Sequence, residues 1–407
     1  MRTRLRTRDL VGVAVAAALL AGCGAGSAAN PGSSAAPTAT PTPSETAAEP
    51  TPDSSQPAPL PLRPGESRVS LGLPGGTYQP SAPSGGKDDY RCFLLDPNLA
   101  SSVFITGVNF TPGNAAIVHH AILYRVTPSQ VADATVKNAA SGGTGWTCFG
   151  DPGLPTGDTD PVAALNTAPW LAGWAPGSGE QLFGAGYGVP VAAGSQIVLQ
   201  VHYNLRGGSG SDGSKVSLRL APGTAKLKAL HTTLLVAPVE LPCAPNESGP
   251  LCQRGNALLD LVTRFGPSAG DTVAGLQLLC GGTSLTAPRA GPTQFCDRQV
   301  ETRSTIVAVA GHMHLLGRSI RIELNPGTPK ARVLLDRPVW DFDDQRSQAL
   351  PAPVAIGPGD VLRVTCTHDA TLRAQLPELR GLVPRYVTWG AGTTDEMCLG
   401  IIIETDQ

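Results

Sequence analysis

The sequence predicts an all-β protein built from two antiparallel β-sandwich domains, and three observations carry this prediction. Beyond residue 66, short apolar or alternating runs recur, enriched in β-branched residues and bounded by Gly, Pro, Asn or Asp. Glycine and proline are abundant, at 48 and 38 of 407 residues, whereas charged residues make up only 15%. Helix bundles and coiled coils are instead rich in Ala, Leu, Glu and Lys. The length allows about two domains, and many short strands with few helices favour sandwiches.

The strands that these runs predict extend along the whole of this region. Examples are Ser102–Phe110, Ile117–Val126, Gln196–Leu205, Lys215–Leu220, Leu230–Val236, Ser304–Ala310, Arg318–Leu324, Val361–Cys366 and Leu399–Ile403. Two helices interrupt them. Thr127 is suited to cap a helix that has Pro128 in its first turn and runs to about Ala140. A second helix is predicted over Asn256–Phe265 and ends at Gly266.

The best internal boundary is a Gly/Ser/Asp stretch at residues 207–213. As a linker, it separates a first domain at residues 67–206 from a second at residues 214–407. A long hairpin loop is the alternative, and composition does not distinguish the two. The net charge of the whole chain is only −2, so we expect no nucleic-acid partner.

The N-terminus has the pattern of an export signal. Four arginines within residues 1–8 precede an apolar run, Val11–Leu20, that is short for a membrane-spanning helix. The run ends in Leu20-Ala21-Gly22-Cys23, which resembles the processing box of bacterial lipoproteins. We therefore expect a signal peptide at residues 1–23 and a lipid on Cys23, which anchors the chain to the outer face of a bacterial cell membrane without spanning it. An ordinary signal peptide with a chance cysteine is the alternative.

Residues 24–66 have the composition of a disordered tether. They hold ten prolines between Pro31 and Pro64, together with Ser, Thr and Ala, and no aromatic residue. Such a segment buries too little apolar surface to offset the entropy of ordering it. We expect an extended, solvated spacer between the membrane and the folded domains.

The cysteines indicate an oxidising compartment. With Cys23 assigned to lipid, an even number remains in an exported chain, which implies disulfides. No CxxC pair occurs, so a zinc ribbon or a thioredoxin-type site is not expected. Chain order favours Cys92–Cys148 in the first domain and Cys366–Cys398 in the second. The pairing of the other four stays open, and these are Cys243, Cys252, Cys280 and Cys296.

Five of the seven histidines lie in three short motifs on predicted strands. The motifs contain His119-His120, His202, and His312-Met313-His314. Residues two apart on a strand share a face, so His312 and His314 can bind one metal while Met313 points the other way. The adjacent His119 and His120 need a bulge, or different ring nitrogens, to reach one ion.

A single histidine on an apolar strand is usually a hydrogen-bonded core residue, but five would leave many buried ring nitrogens without partners. Metal ligation satisfies them together. Imidazole suits zinc, copper, iron and nickel, and a thioether selects copper(I). Because methionine is scarce here, Met397 is a candidate soft ligand, with core packing as its alternative role. The motifs contain no carboxylate, which disfavours a non-haem iron site.

These segments resemble the copper type II, ascorbate-dependent monooxygenases, a family that includes peptidylglycine α-hydroxylating monooxygenase and dopamine β-monooxygenase. The matching elements occur in the family's order and approximate spacing over residues 85–405. They are His119-His120, Gln200-Val201-His202-Tyr203, His312-Met313-His314 with Leu316-Gly317, and Thr394-Asp395-Glu396-Met397-Cys398.

The resemblance implies two jelly-roll-like sandwiches, each with one copper ion facing a cleft between the domains. It implies that an electron-storing copper is bound by His119, His120 and His202, and an O2-binding copper by His312, His314 and Met397. The second copper would hydroxylate a C–H bond of a small substrate, with ascorbate or another reductant as electron donor. The resemblance also implies the disulfides Cys92–Cys148 and Cys366–Cys398.

The sequence departs from the peptide-amidating members of the family where those members hold the substrate carboxylate. The positions of that Arg, Asn and Tyr are occupied here by Ala310, Leu399 and Ile401. We therefore do not predict peptide amidation, and we expect an apolar or differently held substrate. A copper-sequestering lipoprotein without catalysis is the second hypothesis, and an adhesive β-sandwich protein without copper is the third. His231 and His368 have no place in the implied ligand set and are expected to be structural or surface residues.

Overall fold

The structure is a computed structural model that describes residues 58–82, 87–155, 170–281, 288–392 and 394–407. These residues belong to one compact unit, residues 54–407. The predicted signal peptide, the lipidation site Cys23 and residues 24–57 of the predicted tether lie outside the described residues. No helix within the described ranges is long and apolar enough to cross a membrane.

Most of the described residues that form regular elements are in β-strands. The first group of strands is β1 Ser67–Gly72, β2 Asp88–Leu95, β3 Val103–Thr111, β4 Val118–Val126, β5 Trp146–Thr147, β6 Trp170–Trp174, β7 Gln181–Leu182, β8 Tyr187–Val191, β9 Gln196–Asn204, β10 Lys215–Pro222 and β11 Lys228–Ala229. The second group is β12 His231–Val236, β13 Glu240–Leu241, β14 Thr293–Gln299, β15 Ser304–His312, β16 Gly317–Leu324, β17 Arg332–Arg337, β18 Gln348–Ile356, β19 Val361–His368, β20 Val387–Thr388 and β21 Leu399–Asp406. The α-helices are α1 Val131–Ala140, α2 Arg254–Phe265, α3 Pro267–Leu279 and α4 Leu372–Gln375.

The first sandwich consists of two sheets. One has the strand order β1-β10-β3-β8-β11, with β7 also paired to β3, and the other has the order β5-β2-β9-β4-β6. Their facing side chains, such as Ile105 and Val216 of one sheet and Phe93 and Leu199 of the other, form one buried apolar core. All the strand pairs are antiparallel except the short β8–β11 pair.

The second sandwich packs a sheet of order β12-β21-β15-β18 against a sheet of order β14-β19-β16-β17. A small β13-β20 sheet lies beside them. Residues such as Val309 and Ile402 of one sheet meet Ile320 and Val364 of the other in a second buried core. The two-sandwich prediction is therefore confirmed, because alternating strands bury one face in each pair of sheets.

The predicted linker at residues 207–213 does not separate the sandwiches. The strand that follows it, β10, lies between β1 and β3 in the first sandwich. Within the stretch, the buried Asp212 accepts hydrogen bonds from the backbone N–H of Gly113 and Asn114 and from the hydroxyl of Tyr203. Composition alone could not show this, because a Gly/Ser-rich loop and a Gly/Ser-rich linker differ only in what their polar groups contact. The chain passes to the second sandwich between β11 and β12.

The two predicted helices are present, but α3 and the four-residue α4 were not predicted. The first begins with a 3₁₀ turn at Pro128–Gln130 and continues as α1, and α2 ends at Phe265, as expected. After Gly266, whose φ is +87°, a further helix, α3, begins directly with Pro267. The sequence signal for α3 was its N-terminal proline, but two glycines within residues 270–275 and the break at Gly266 weakened the helical pattern.

Four disulfides join the eight cysteines that lie in the described residues. Cys92–Cys148 and Cys366–Cys398 are the two pairs that chain order favoured. The pairing left open by the sequence is Cys243–Cys252 and Cys280–Cys296. Cys366–Cys398 connects β19 to the residue after Met397, so it holds the segment that carries a candidate ligand against the second core.

The last residues of the predicted tether pack against the first sandwich. Arg219 of β10 is completely buried, and its guanidinium donates to the carbonyl oxygens of Leu60 and Pro61. It also forms an ion pair of 2.6 Å with Glu66, whose side chain is 4% exposed. A buried guanidinium needs such partners, so residues 58–66 are part of the folded domain. The predicted end of the tether at residue 66 is therefore wrong, because the folded domain already includes residue 58.

We expect Arg219→Met to reduce the free energy of unfolding by about 3–5 kcal/mol, because it removes the nearest cation of the buried Glu66 carboxylate and leaves it with the more distant Arg63, at 3.6 Å. The measurement is urea unfolding of the single variants and of the double variant Arg219→Met/Glu66→Gln. The double variant should lose less stability than the two single variants combined.

The matched control is Arg321→Met on β16, since Arg321 forms a 3.4 Å ion pair with Glu323 but is 45% exposed. Its effect should be at most about 1 kcal/mol. Equal losses for Arg219→Met and Arg321→Met would contradict the anchoring role of Arg219.

Candidate metal centres

The first three predicted ligands come together on two neighbouring strands, β4 and β9. Val118 pairs with Tyr203 and His120 pairs with His202, so one residue of β4, His119, has no partner on β9. This is the β-bulge that adjacent histidines require, because a bulge turns two successive side chains toward the same side. The structure thus brings His119, His120 and His202 to one point.

The meeting atoms are the three Nδ1 nitrogens. Their separations are 3.2 Å for His119–His120, 3.1 Å for His119–His202 and 3.3 Å for His120–His202. Imidazole nitrogens about 2.0 Å from a common ion at tetrahedral angles would be roughly 3.3 Å apart. Three ring nitrogens cannot all be satisfied by one another, since each is either a donor or an acceptor. The donor set and its spacing therefore fit a metal ion.

The protonation of these rings also suits a metal. Burial, followed by the charges of neighbouring histidines, holds the pKa of His119 and of His120 well below the usual value. Burial likewise lowers the pKa of His202, although Asp88 opposes the shift. The rings are therefore neutral near pH 7, and a neutral imidazole has the lone pair that a metal needs.

Two residues of β2 orient His202. The Nε2–H of His202 donates to Asp88 Oδ1 at 2.9 Å, which leaves Nδ1 as the nitrogen with the free lone pair. The Tyr90 ring stacks on the His202 ring at 4.0 Å with an angle of 7° between the planes. Neither residue was identified from the sequence. Tyr90 pairs in register with His202 across the β2–β9 ladder. This pairing joins strands that are distant in sequence, so the local sequence around Tyr90 does not predict it.

The second set of predicted ligands lies at the end of β15. His312 is the last residue of the strand and His314 follows it, with their ring centroids 5.2 Å apart. His314 Nδ1–H donates to the Asp395 carbonyl at 3.1 Å, and His312 Nδ1 lies 2.5 Å from the amide oxygen of Gln345. Each ring therefore keeps its Nε2 for a metal. Burial lowers the pKa of His312 to about 3, so this ring is neutral as well.

The third member of this set, Met397, lines the same cavity as His312 and His314. Two imidazoles and a thioether at one cavity wall form a donor set that suits copper(I). Met313, in contrast, is fully buried in the second core, which is the orientation that the alternation of the strand predicted.

Glu396 connects the two segments that carry these ligands. Its carboxylate is fully buried and accepts the backbone N–H groups of His314 at 2.9 Å, of Leu316 at 2.6 Å and of Met397 at 3.2 Å. Burial alone would raise the pKa of Glu396, but the His368 ring at 3.3 Å and these hydrogen bonds hold that pKa below its usual value. The charged carboxylate thus ties the His312–His314 turn to Met397.

The neighbouring Asp395 is buried as well, and Arg264 of α2 binds it with two hydrogen bonds of 2.8 and 2.7 Å. Both acidic residues are therefore buried and paired, although acidic residues in a turn are usually solvated. His368 is a buried structural residue, in contact with Glu396. His231 lies at the surface, 43% exposed and paired with Glu404.

The two ligand sets face each other across the interface between the sandwiches. The ring centroids of His120 and His312 are 6.0 Å apart. Phe342, from the second sandwich, stacks on His119 of the first at 4.8 Å. His119 and His120 of the first set and all three residues of the second set line one cavity of about 550 Å³ between the sandwiches. Sequence reasoning left the separation of the two sites open, and the structure makes them neighbours.

Comparison with known proteins supports this interpretation for the second half of the chain. Residues 291–403 match the family model described as copper type II ascorbate-dependent monooxygenase, C-terminal domain. This segment contains His312, His314 and Met397. Among curated proteins, DBH-like monooxygenase protein 2 of Mus musculus is 39% identical over 90 residues, which span 22% of this chain and 13% of that protein.

Solved structures add nothing to this comparison. An allantoicase aligns with 72% of this chain and 79% of its own chain, at 13% identity and a TM-score of 0.18. A xanthan lyase of Paenibacillus aligns with 86% of this chain and 27% of its own, at 10% identity and a TM-score of 0.15. Scores this low do not indicate a shared fold. The sequence matches support the copper type II, ascorbate-dependent monooxygenase family, through the C-terminal domain of that family and residues 291–403 of this chain.

Proposed function

We propose that this protein is a copper-dependent monooxygenase that uses O2 and an external reductant, such as ascorbate, to hydroxylate a C–H bond of a small molecule. The observation that carries the proposal is the meeting of two ligand sets at one cavity. One set has three imidazoles, and the other has two imidazoles and a thioether. Copper bound there would supply one-electron redox chemistry and O2 activation.

The contribution of the chain itself is to position these groups and to exclude water. The bulge at His119 aims two histidines at one point, and Asp88 selects the nitrogen by which His202 binds. Glu396 holds the turn after β15 beside Met397. Burial keeps His120 and His312 neutral, so two sites of low local dielectric face a common cavity. The closeness of His120 and His312 favours direct electron exchange between the sites.

A copper-sequestering protein without catalysis is the second candidate. The observation that favours it is the lack of the carboxylate-binding side chains, since Ala310, Leu399 and Ile401 occupy those positions and line the cavity. Both candidates require two copper ions, and O2 consumption by the reduced protein separates them.

We further propose that the protein works outside the cytoplasm, attached to the outer face of a bacterial membrane through a lipid on Cys23. Four disulfides in the described residues support an oxidising compartment. Its partners would be O2, a reductant and a small substrate.

We expect the purified protein to bind two copper ions and, once reduced by ascorbate, to consume O2 with a C–H substrate. His202→Ala and His314→Ala should each bind one ion fewer, and His314→Ala should lose O2 consumption. Metal analysis and an oxygen electrode measure both quantities. His231→Ala is the matched control and should bind two ions. Two bound ions without O2 consumption over a broad substrate panel would favour the sequestering role.

We expect Glu396→Gln to weaken copper binding at the site of His312, His314 and Met397 by about 10–100-fold. The amide replaces one carboxylate oxygen by an N–H donor, which opposes the backbone N–H groups that Glu396 now accepts. Competition with a copper chelator measures the affinity of each site. The three-histidine site should keep its affinity, and an equal loss at both sites would instead indicate general unfolding.

With cupric ions in both sites, we expect the electron paramagnetic resonance spectrum to differ from the sum of the spectra of His202→Ala and His314→Ala. The reason is the 6.0 Å separation of the His120 and His312 rings, which brings the unpaired electrons close enough to interact. A spectrum equal to that sum would mean that the two sites lie far apart in solution.

A further inference from the structure

The cavity wall beside His312 is an apolar face of the β12-β21-β15 sheet. Leu399 pairs with His312 on one side and with Val236 on the other. Because side chains two residues apart share a face, the next row on the same side is formed by Ala310, Ile401 and Leu234. All six residues line the cavity. Residues on the opposite face of these strands, such as Leu235 between the two rows and Val309 and Ile402 beyond them, face the core instead.

The opposite wall of the cavity is aromatic. Trp170 and Trp174 of β6, in the first sandwich, line it together with Phe149 and with Phe265 of α2. Trp170 also packs against the apolar residues of the second sandwich, beside Leu399 and Ile401. One wall of the cavity is thus aliphatic and belongs to the second sandwich, and the opposite wall is rich in aromatic side chains from both halves of the chain. Its volume of about 550 Å³ lies within the range of small-molecule sites.

The charged groups at the cavity give an ionised ligand no ready partner. Among the lining residues that the structure describes, Arg346 is the only lysine or arginine, and Asp344 already binds its guanidinium with two hydrogen bonds of 2.7 and 2.8 Å. The lining carboxylates are Glu180, which is paired with Arg68 at 2.9 Å, and the exposed Asp151. Burying a carboxylate or an ammonium between these walls would remove its hydration without replacing it.

We propose that the substrate of this cavity is a neutral apolar molecule, with an aromatic or alicyclic body and no ionised group. This inference rests on the proposed function. Its body would lie between the β12-β21-β15 face and the tryptophans of β6, next to His312. The apolar walls favour a ligand that fits between them, because its apolar surface leaves water and contacts apolar side chains instead. Specificity against carboxylates follows because Arg346, the one lysine or arginine of the described lining, is already paired with Asp344. Specificity against amines is expected because Glu180 is paired with Arg68, and because Asp151 is exposed, so that water screens its attraction for a cation.

The test uses the full folded chain without copper, so that binding is measured independently of catalysis. Three probes share one ring system and differ in one group: naphthylmethanol is neutral, naphthoate is an anion and naphthylmethylamine is a cation at pH 7. Equilibrium dialysis gives each affinity, and quenching of tryptophan fluorescence reports binding near Trp170 and Trp174. We expect naphthylmethanol to bind at least tenfold more tightly than either charged probe.

Two substitutions at one position test the location of the site. Ile401→Thr keeps a β-branched residue but removes apolar area, and it should weaken naphthylmethanol binding severalfold. Ile401→Arg adds a cation to the wall and should reverse the preference in favour of naphthoate. Val333→Arg, on an exposed position of β17, is the matched control and should leave all three affinities unchanged. If Ile401→Arg does not fold, Ile401→Thr carries the test.

The outcomes separate this inference from the proposed function. Absence of naphthylmethanol binding, or tighter binding of naphthoate or naphthylmethylamine by the unsubstituted protein, would overturn the neutral-substrate assignment even if copper-dependent O2 consumption is observed. Unchanged naphthylmethanol binding by Ile401→Thr would overturn the assigned location. Tight, Ile401-dependent binding of naphthylmethanol without any O2 consumption would instead support the apolar site and count against the monooxygenase.

Discussion

Apolar packing between the two sandwiches is the contact on which the candidate site depends. Trp170 of the first sandwich packs against a cluster of the second that includes Val236 and Leu399. This contact brings β6 and β12 together and thereby sets His120 and His312 within 6.0 Å of each other. Neither sandwich alone contains the cavity, because each contributes only one wall and one ligand set.

This arrangement buries polar groups, and each of the groups described next has a hydrogen-bond partner. Desolvation keeps His119, His120, His202 and His312 neutral. The ring nitrogens of His202, His312 and His314 that point away from the ligand positions have partners in Asp88, Gln345 and the Asp395 carbonyl. The buried Glu396 is charged and therefore needs several donors, which the backbone of the ligand-bearing turns supplies. Because this one buried carboxylate bonds both chain segments that carry the candidate ligands, it restricts the movement of one segment relative to the other. The ligand nitrogens that a metal would satisfy are then the three Nδ1 atoms of the first set, which lie within 3.3 Å of one another, and the Nε2 atoms of His312 and His314.

Features that depend on neighbouring residues were predicted from the sequence, and features that depend on contacts between distant parts of the chain were not. The nine strands named from the sequence agree with the structure within one or two residues at most ends, because alternation and turn residues act locally; β2 and β18 were not among them. The need for a bulge at His119 was also local, since adjacent side chains diverge on a regular strand. The linker at residues 207–213 was misplaced because the position of β10 depends on pairing with β1, about 145 residues earlier in the chain. Asp88 and Tyr90 were missed for the same reason, since their partner His202 lies on a strand distant in sequence.

By itself, the sequence determined the all-β class, the alternation that sends Met313 inward, the even set of cysteines and the identity of the candidate ligands. These properties depend on residue type and on spacing along one strand. Only the tertiary structure decided that the two ligand sets face one cavity, that Glu396 is buried between their segments, and that Arg219 draws residues 58–66 onto the first sandwich. The physical reason is that burial and counter-ion pairing are properties of surfaces brought together from distant parts of the chain, and no local pattern encodes which surfaces meet.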